Sequence, residues 1–133
     1  SELVIRFRFH IPEGQVGSAY RRLGKCKSIA LPVLCAAAVV TMEAGKVVSA
    51  SIGLGPVAPL PFRPKEAEEW IAGQPATAES VVQAAALAQD EARPRDSLLR
   101  CARDYREAMV GVLVRTTLEQ AIAAANRVSG GFA

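Results

Sequence analysis

Four prolines fall within the ten residues GPVAPLPFRP (55–64), and neither a strand ladder nor a helix runs through such a stretch. The chain is therefore cut in two. Before the cut, apolar residues recur at every second position. After it, they recur at helical spacing. Strands first and helices last imply an α+β fold, with an antiparallel sheet and helices packed on one face. The chain has 133 residues, which suits a single domain over 1–133.

The strand half spans about 2–54. ELVIRFRFHIP (2–12) alternates, with Leu3, Ile5, Phe7, Phe9 and Ile11 on one side and Val4, Arg6, Arg8 and His10 on the other. That pattern predicts a half-buried strand with a wet, basic face. PEGQVG (12–17) reads as a turn, and SAYRRLG (18–24) as a short strand ending at Gly24. SIALPVLCAAAVV (28–40) carries no charge, so residues 33–42 read as a central strand covered on both faces. MEAGK (42–46) suits a hairpin turn back into VVSASIGL (47–54). There Val48, Ala50, Ile52 and Leu54 are expected on one face, and Val47, Ser49 and Ser51 on the other. About four strands result.

Three helices are predicted over 64–126. Pro64 suits the start of the first, Gly73 its stop, and Trp70 and Ile71 its anchor on the sheet. The acids Glu66, Glu68 and Glu69 read as exposed first-turn residues. The second helix covers 77–92 behind an N-cap at Thr77, with Val81, Ala84, Ala85 and Ala88 as its packing stripe. The third covers 104–126, with Tyr105, Ala108, Met109, Val112, Thr116, Leu118 and Ile122 on its inner side.

Several function classes fall away. The net charge is only +3, and acids interleave with the basic residues after residue 43, unlike the dense stripe of a nucleic-acid binder. The uncharged run 28–40 is shorter than the roughly 20 residues a spanning helix needs, and it lies deep for a signal peptide. Three cysteines without a CxxC, and one histidine, give no metal-ligand spacing, and they suit a reducing, cytoplasmic setting. GLGPVA (53–58) fits a dinucleotide fingerprint, but its prolines prevent the helix start that the fingerprint requires. No catalytic constellation stands out.

Three segments carry a resemblance: SAYRRLGKCKSIALPVLCAAAVV (18–40), IGLGPVAPLPFRPKEAE (52–68) and YREAMVGVLVRTTLEQA (105–121). In this order they resemble the C-terminal domain of the FAD-binding (medium) subunit of molybdenum hydroxylases, the xanthine dehydrogenase / carbon monoxide dehydrogenase flavoprotein family. The resemblance implies an α+β domain that completes a flavin pocket. It implies FAD shared with a larger N-terminal FAD-binding domain, expected to be absent from this chain. By the same resemblance Arg21, Lys25 and Ile29 would face the cofactor, with no metal held here. The molybdenum cofactor and the iron–sulfur clusters would sit on partner subunits. Electrons would pass from the clusters through FAD to an acceptor such as NAD, and this domain alone would not be catalytic. A free-standing interaction or ligand-binding module reusing the fold is the alternative.

Overall fold

Ala44 and Gly45 turn the chain with φ of +48° and +76°. Two successive positive φ values define a type I′ turn, whose twist matches that of paired strands. It joins β2 (Leu34–Glu43) to β3 (Lys46–Gly55), with Glu43 opposite Lys46. Left-handed backbone costs an L-residue roughly 1–2 kcal/mol, less for asparagine. Ala44→Asn should therefore raise stability by about 0.5–1 kcal/mol, read as a higher thermal midpoint. An unchanged or lower midpoint would contradict that conformation at Ala44.

The computed structural model describes residues 3–8, 12–25 and 31–129. His10, Cys26 and Ile29 lie outside them. β1 (Gln15–Leu23) pairs antiparallel with β2, and the sheet runs in the order β1-β2-β3. The helices are α1 (Lys65–Ile71), α2 (Ala78–Glu91) and α3 (Arg103–Ser129). α3 packs on β1, β2 and α2, while α1 fills the corner between α2 and β3. The core lies between this helical layer and one sheet face, and includes Leu34, Val40, Ile52, Ile71, Val114 and Leu118.

The local signals hold. The Thr77 hydroxyl accepts from the Ser80 N–H at 3.3 Å, closing the N-terminus of α2. Pro64 directly precedes α1, and Gly73 follows it at φ +84°. Trp70 packs against the core. By length and composition α3 could cross a membrane, but its inner face is that of a core helix.

Other expectations are corrected. Among the described residues the sheet has three strands; residues 3–8 lie outside it, with Leu3, Ile5 and Phe7 83–88% exposed. Alternation marks a segment able to pair but supplies no neighbour for it. The register shifts between Thr41 and Met42, which places Val47 opposite Met42 in the core and leaves Val48 exposed. A bulge of this kind exchanges the faces of the residues beyond it. Among the described residues β2 is covered on one face: Ala36, Ala38 and Val40 are buried, whereas Ala37 and Val39 on the other face are exposed. On α3 the buried stripe runs through Arg106, Val110, Leu113, Val114, Thr117, Leu118 and Ile122, leaving Tyr105 and Val112 outside. The stripe begins on an arginine, which an apolar pattern cannot reveal.

The connector also departs from a simple extended strap. Phe62 keeps its N–H between prolines, and it exchanges two backbone hydrogen bonds with Leu54, at 2.8 and 3.0 Å. Residues 56–61 therefore form a loop that returns to the free edge of β3. One turn on, the Glu68 carboxylate accepts from the Ile52 N–H at 2.7 Å and from Arg63 Nε at 2.9 Å. Glu68 is only 6% exposed, so it is a buried clamp and not a solvated first-turn acid.

Candidate functional site

Side chains alternate along a strand, so the register fixes which residues share the open face of the sheet. Arg22 stands opposite Cys35, which stands opposite Gly55; Tyr20, Ala37 and Gly53 form the next row. The other parity belongs to the core: Arg21 is paired with Ala36, which is fully buried against the helices.

These two rows and the returning loop form a groove of about 450 Å³. Tyr20, Cys35, Ala37, Gly53 and Gly55 make its floor, and Pro59 and Pro61 its wall. A Cβ on Gly53 would meet no atom within 4 Å, and one on Gly55 would only touch Cys35 Sγ at 3.4 Å. The two glycines, two residues apart, leave a flat, bare patch. Such a floor suits a planar ring.

Tyr20 stands at the edge of this patch beside Cys35 and Arg22. Desolvation of its hydroxyl, with the neighbouring Cys35 thiol adding, pushes the phenol above its usual range, and Arg22 partly offsets this. Tyr20 is therefore a protonated hydrogen-bond donor at neutral pH.

A second hollow of about 450 Å³ adjoins the first. Pro56, Ala58, Pro59 and Arg100 line both. Arg106 reaches it from α3, donating to the carbonyls of Arg95 and Pro56. Those bonds tie the start of the Pro-rich loop to the α2–α3 connection. Burial, with the positive Arg100 nearby, lowers the Arg106 pKa.

Among the residues expected from the sequence to meet a cofactor, Arg21 is exposed on the edge strand with its parity toward the helical layer. Lys25 is exposed beyond the end of β1, near the same end of the sheet as the groove. Ile29 lies outside the described residues. The structure thus does not bring Arg21 onto Tyr20's face, and it brings Arg22 there instead. Two signals could have found the groove: the shared parity of Tyr20 and Arg22, and the shared parity of Gly53 and Gly55. Arg100 carries no local signal, and Arg106, though within the segment 105–121, has nothing local that marks it as buried.

Residues 18–121 match the CO dehydrogenase flavoprotein C-terminal domain. The chain belongs to that family. The carbon monoxide dehydrogenase medium chain of Afipia carboxidovorans is 36% identical over 124 residues, which is 93% of this chain and 42% of that protein. Among solved structures, reconstituted CO dehydrogenase from Oligotropha carboxidovorans superposes with a TM-score of 0.78 at 36% identity, over 86% of this chain and 39% of that one. Quinoline 2-oxidoreductase from Pseudomonas putida 86, at 23% identity and a TM-score of 0.77 over 86% of this chain and 40% of its own, shares the fold. This domain therefore spans about two fifths of the relatives it matches. It is homologous to one chain of these CO dehydrogenases, a family of flavoprotein subunits of molybdenum hydroxylases.

Proposed function

We propose that this domain closes a flavin site within an FAD-dependent electron-transfer subunit, and that the groove on the open sheet face takes the isoalloxazine ring. One observation carries the reading: a bare glycine floor, walled by prolines, with a donor and a cation at its edge. The residues present fit the group. Ala37, Gly53 and Gly55 would lie under a flat ring and exclude water from it. The Tyr20 hydroxyl would donate to a ring heteroatom, and Arg22 would favour negative charge on the ring. FAD, when bound, takes up and releases electrons singly or in pairs, which suits relay between iron–sulfur clusters and an acceptor such as NAD.

The remaining three fifths of such a subunit would hold most of the cofactor, and its surface would cover the exposed sheet face. Iron–sulfur and molybdopterin subunits would complete the assembly, with the molybdenum subunit choosing the substrate. A reducing, cytoplasmic setting suits Cys35 and Cys101, which are free thiols.

Gly53→Val tests the groove directly. The new side chain projects into open space and suits a strand, so the fold should survive it. In the full-length flavoprotein it should weaken FAD binding by about tenfold or more, since a buried contact surface is replaced by a clash. Tyr20→Ala should leave the flavin bound but raise its fluorescence, by removing an aromatic quencher. Wild-type flavin content and emission in both variants, with unchanged thermal midpoints, would remove the ring from this groove.

A further inference from the structure

The second hollow holds an unusual concentration of charge. Arg93, Arg95, Arg100 and Arg106 line it with a single carboxylate, Asp96, an excess of three positive charges. Asp96 is partly committed elsewhere, since its Oδ1 accepts from the Arg103 N–H at 2.8 Å and caps the start of α3. Among the described residues none of the four arginines has a carboxylate within ion-pair distance, whereas Arg103 and Arg115 on the outer face of α3 do.

Arg106 is only 3% exposed. Two of its nitrogens bond neutral carbonyls, but its buried Nε has no hydrogen-bond partner among the described residues. The same is true of Arg100 Nε. A buried guanidinium donor without a partner is costly, and a structural cross-link alone does not require a second arginine beside it. Ser97 adds a further donor: its Oγ accepts from the Arg100 N–H at 3.1 Å, leaving the hydroxyl hydrogen for another group.

We propose that this hollow is a binding site for a diphosphate ester. Several donors from separate side chains suit an anion with many oxygens, and the excess positive charge suits more than one negative charge. A volume of about 450 Å³ exceeds the needs of a lone phosphate. The walls shared with the apolar groove, through Pro56, Pro59 and Arg100, favour a ligand that joins a ring to its phosphates. Two sources share this chemistry: the diphosphate of the flavin itself, or that of a second nucleotide. The hollow shares Pro56, Ala58, Pro59 and Arg100 with the groove, but Arg95 and the pyrophosphate probe are separate from the Gly53 floor, so its failure is distinguishable from failure of the flavin reading.

Inorganic pyrophosphate is the probe, titrated into the full-length protein by calorimetry at fixed ionic strength. Saturable binding is expected, with sulfate a weak competitor. Arg100→Gln and Arg95→Gln, neither of which removes the Arg106 bonds to the loop carbonyls, should each weaken it by about tenfold. Arg115→Gln, on the outer face of α3, should leave it unchanged. Binding lost on loading with FAD assigns the site to the flavin's diphosphate; binding retained assigns it to a second nucleotide. No saturable heat, or equal affinity in Arg100→Gln, Arg95→Gln and Arg115→Gln, overturns the proposal. If Arg100→Gln lowers the thermal midpoint, Arg95→Gln, at an exposed position, decides the matter.

Discussion

Gly17→Val should leave little folded protein at ordinary temperature, and Gly17→Ala should already cost about 3 kcal/mol or more. Gly17 sits on the helix-facing side of β1, opposite Val40. A Cβ there would lie 2.0 Å from Ala121 O, 2.3 Å from Ala125 N and 2.9 Å from Ala125 Cβ. The first two are backbone atoms in the middle of a long helix, so no side-chain rotation relieves the clash. α3 would have to lift off the sheet, opening the core around Leu118 and Ile122, which that helix presents inward. Domains of this size have a total stability of only about 5–15 kcal/mol. Gly53→Ala is the matched control, since its Cβ meets nothing within 4 Å. Urea denaturation of the two variants separates the cases. A wild-type midpoint for Gly17→Ala would mean that α3 is not seated on this glycine.

Nothing in the local sequence marks Gly17 as a contact, and that illustrates which features could be read beforehand. Those written in neighbouring residues are legible: the Thr77 cap, the Gly73 stop, a hairpin turn within 42–46 and the change from strand to helix at the prolines. Those that depend on a partner across the fold are not. The alternation of residues 3–8 carries no information about a neighbouring strand. The exchange of Val47 and Val48 comes from a bulge, which is a property of the β2–β3 pair. On α3 the expected Leu118 and Ile122 are buried, but the start of the inner face is not legible because its first buried residue is Arg106, held by the Arg95 and Pro56 carbonyls. The site followed the same division. The resemblance points to Arg21, and strand register, a property of the β1–β2 pair, decides only that Arg22 shares the face of Tyr20 and Arg21 does not. The glycines of the GLG stretch fit a dinucleotide fingerprint that the following prolines rule out. Their spacing by two leaves the open face of β3 without side chains at 53 and 55.

Glu68 sits in a helix first turn, where the sequence implies exposure, yet it is buried, and it yields the second large effect. Glu68→Gln should cost about 2–3 kcal/mol, because the amide sets a donor against Arg63 where a carboxylate oxygen accepted. Burial alone would raise the Glu68 pKa. The hydrogen bonds from Arg63 and the Ile52 N–H, with the charges of Arg63 and Lys65, outweigh it and hold the carboxyl below its ordinary value of 4.5. A folded-state pKa below the unfolded one means that ionisation favours the fold. The contribution is complete above the unfolded value and is lost as pH falls through the folded one. The stability gap between wild type and Glu68→Gln should thus be full near pH 7 and should narrow well below about pH 4.5. Arg63 is half exposed and recovers some hydration when the partner is lost, which keeps the effect below that of a fully buried pair. Urea midpoints at both acidities measure the gap; an equal gap at each would show that the ionised carboxylate contributes nothing. The consequence reaches the groove, because Arg63 follows the Pro-rich loop directly and Glu68 fastens it to β3 beside the Leu54–Phe62 bonds. Loosening that clamp should free the proline wall while leaving the glycine floor intact. Ligand binding in the groove should then fall in Glu68→Gln by less than in Gly53→Val, although only Glu68→Gln lowers the midpoint.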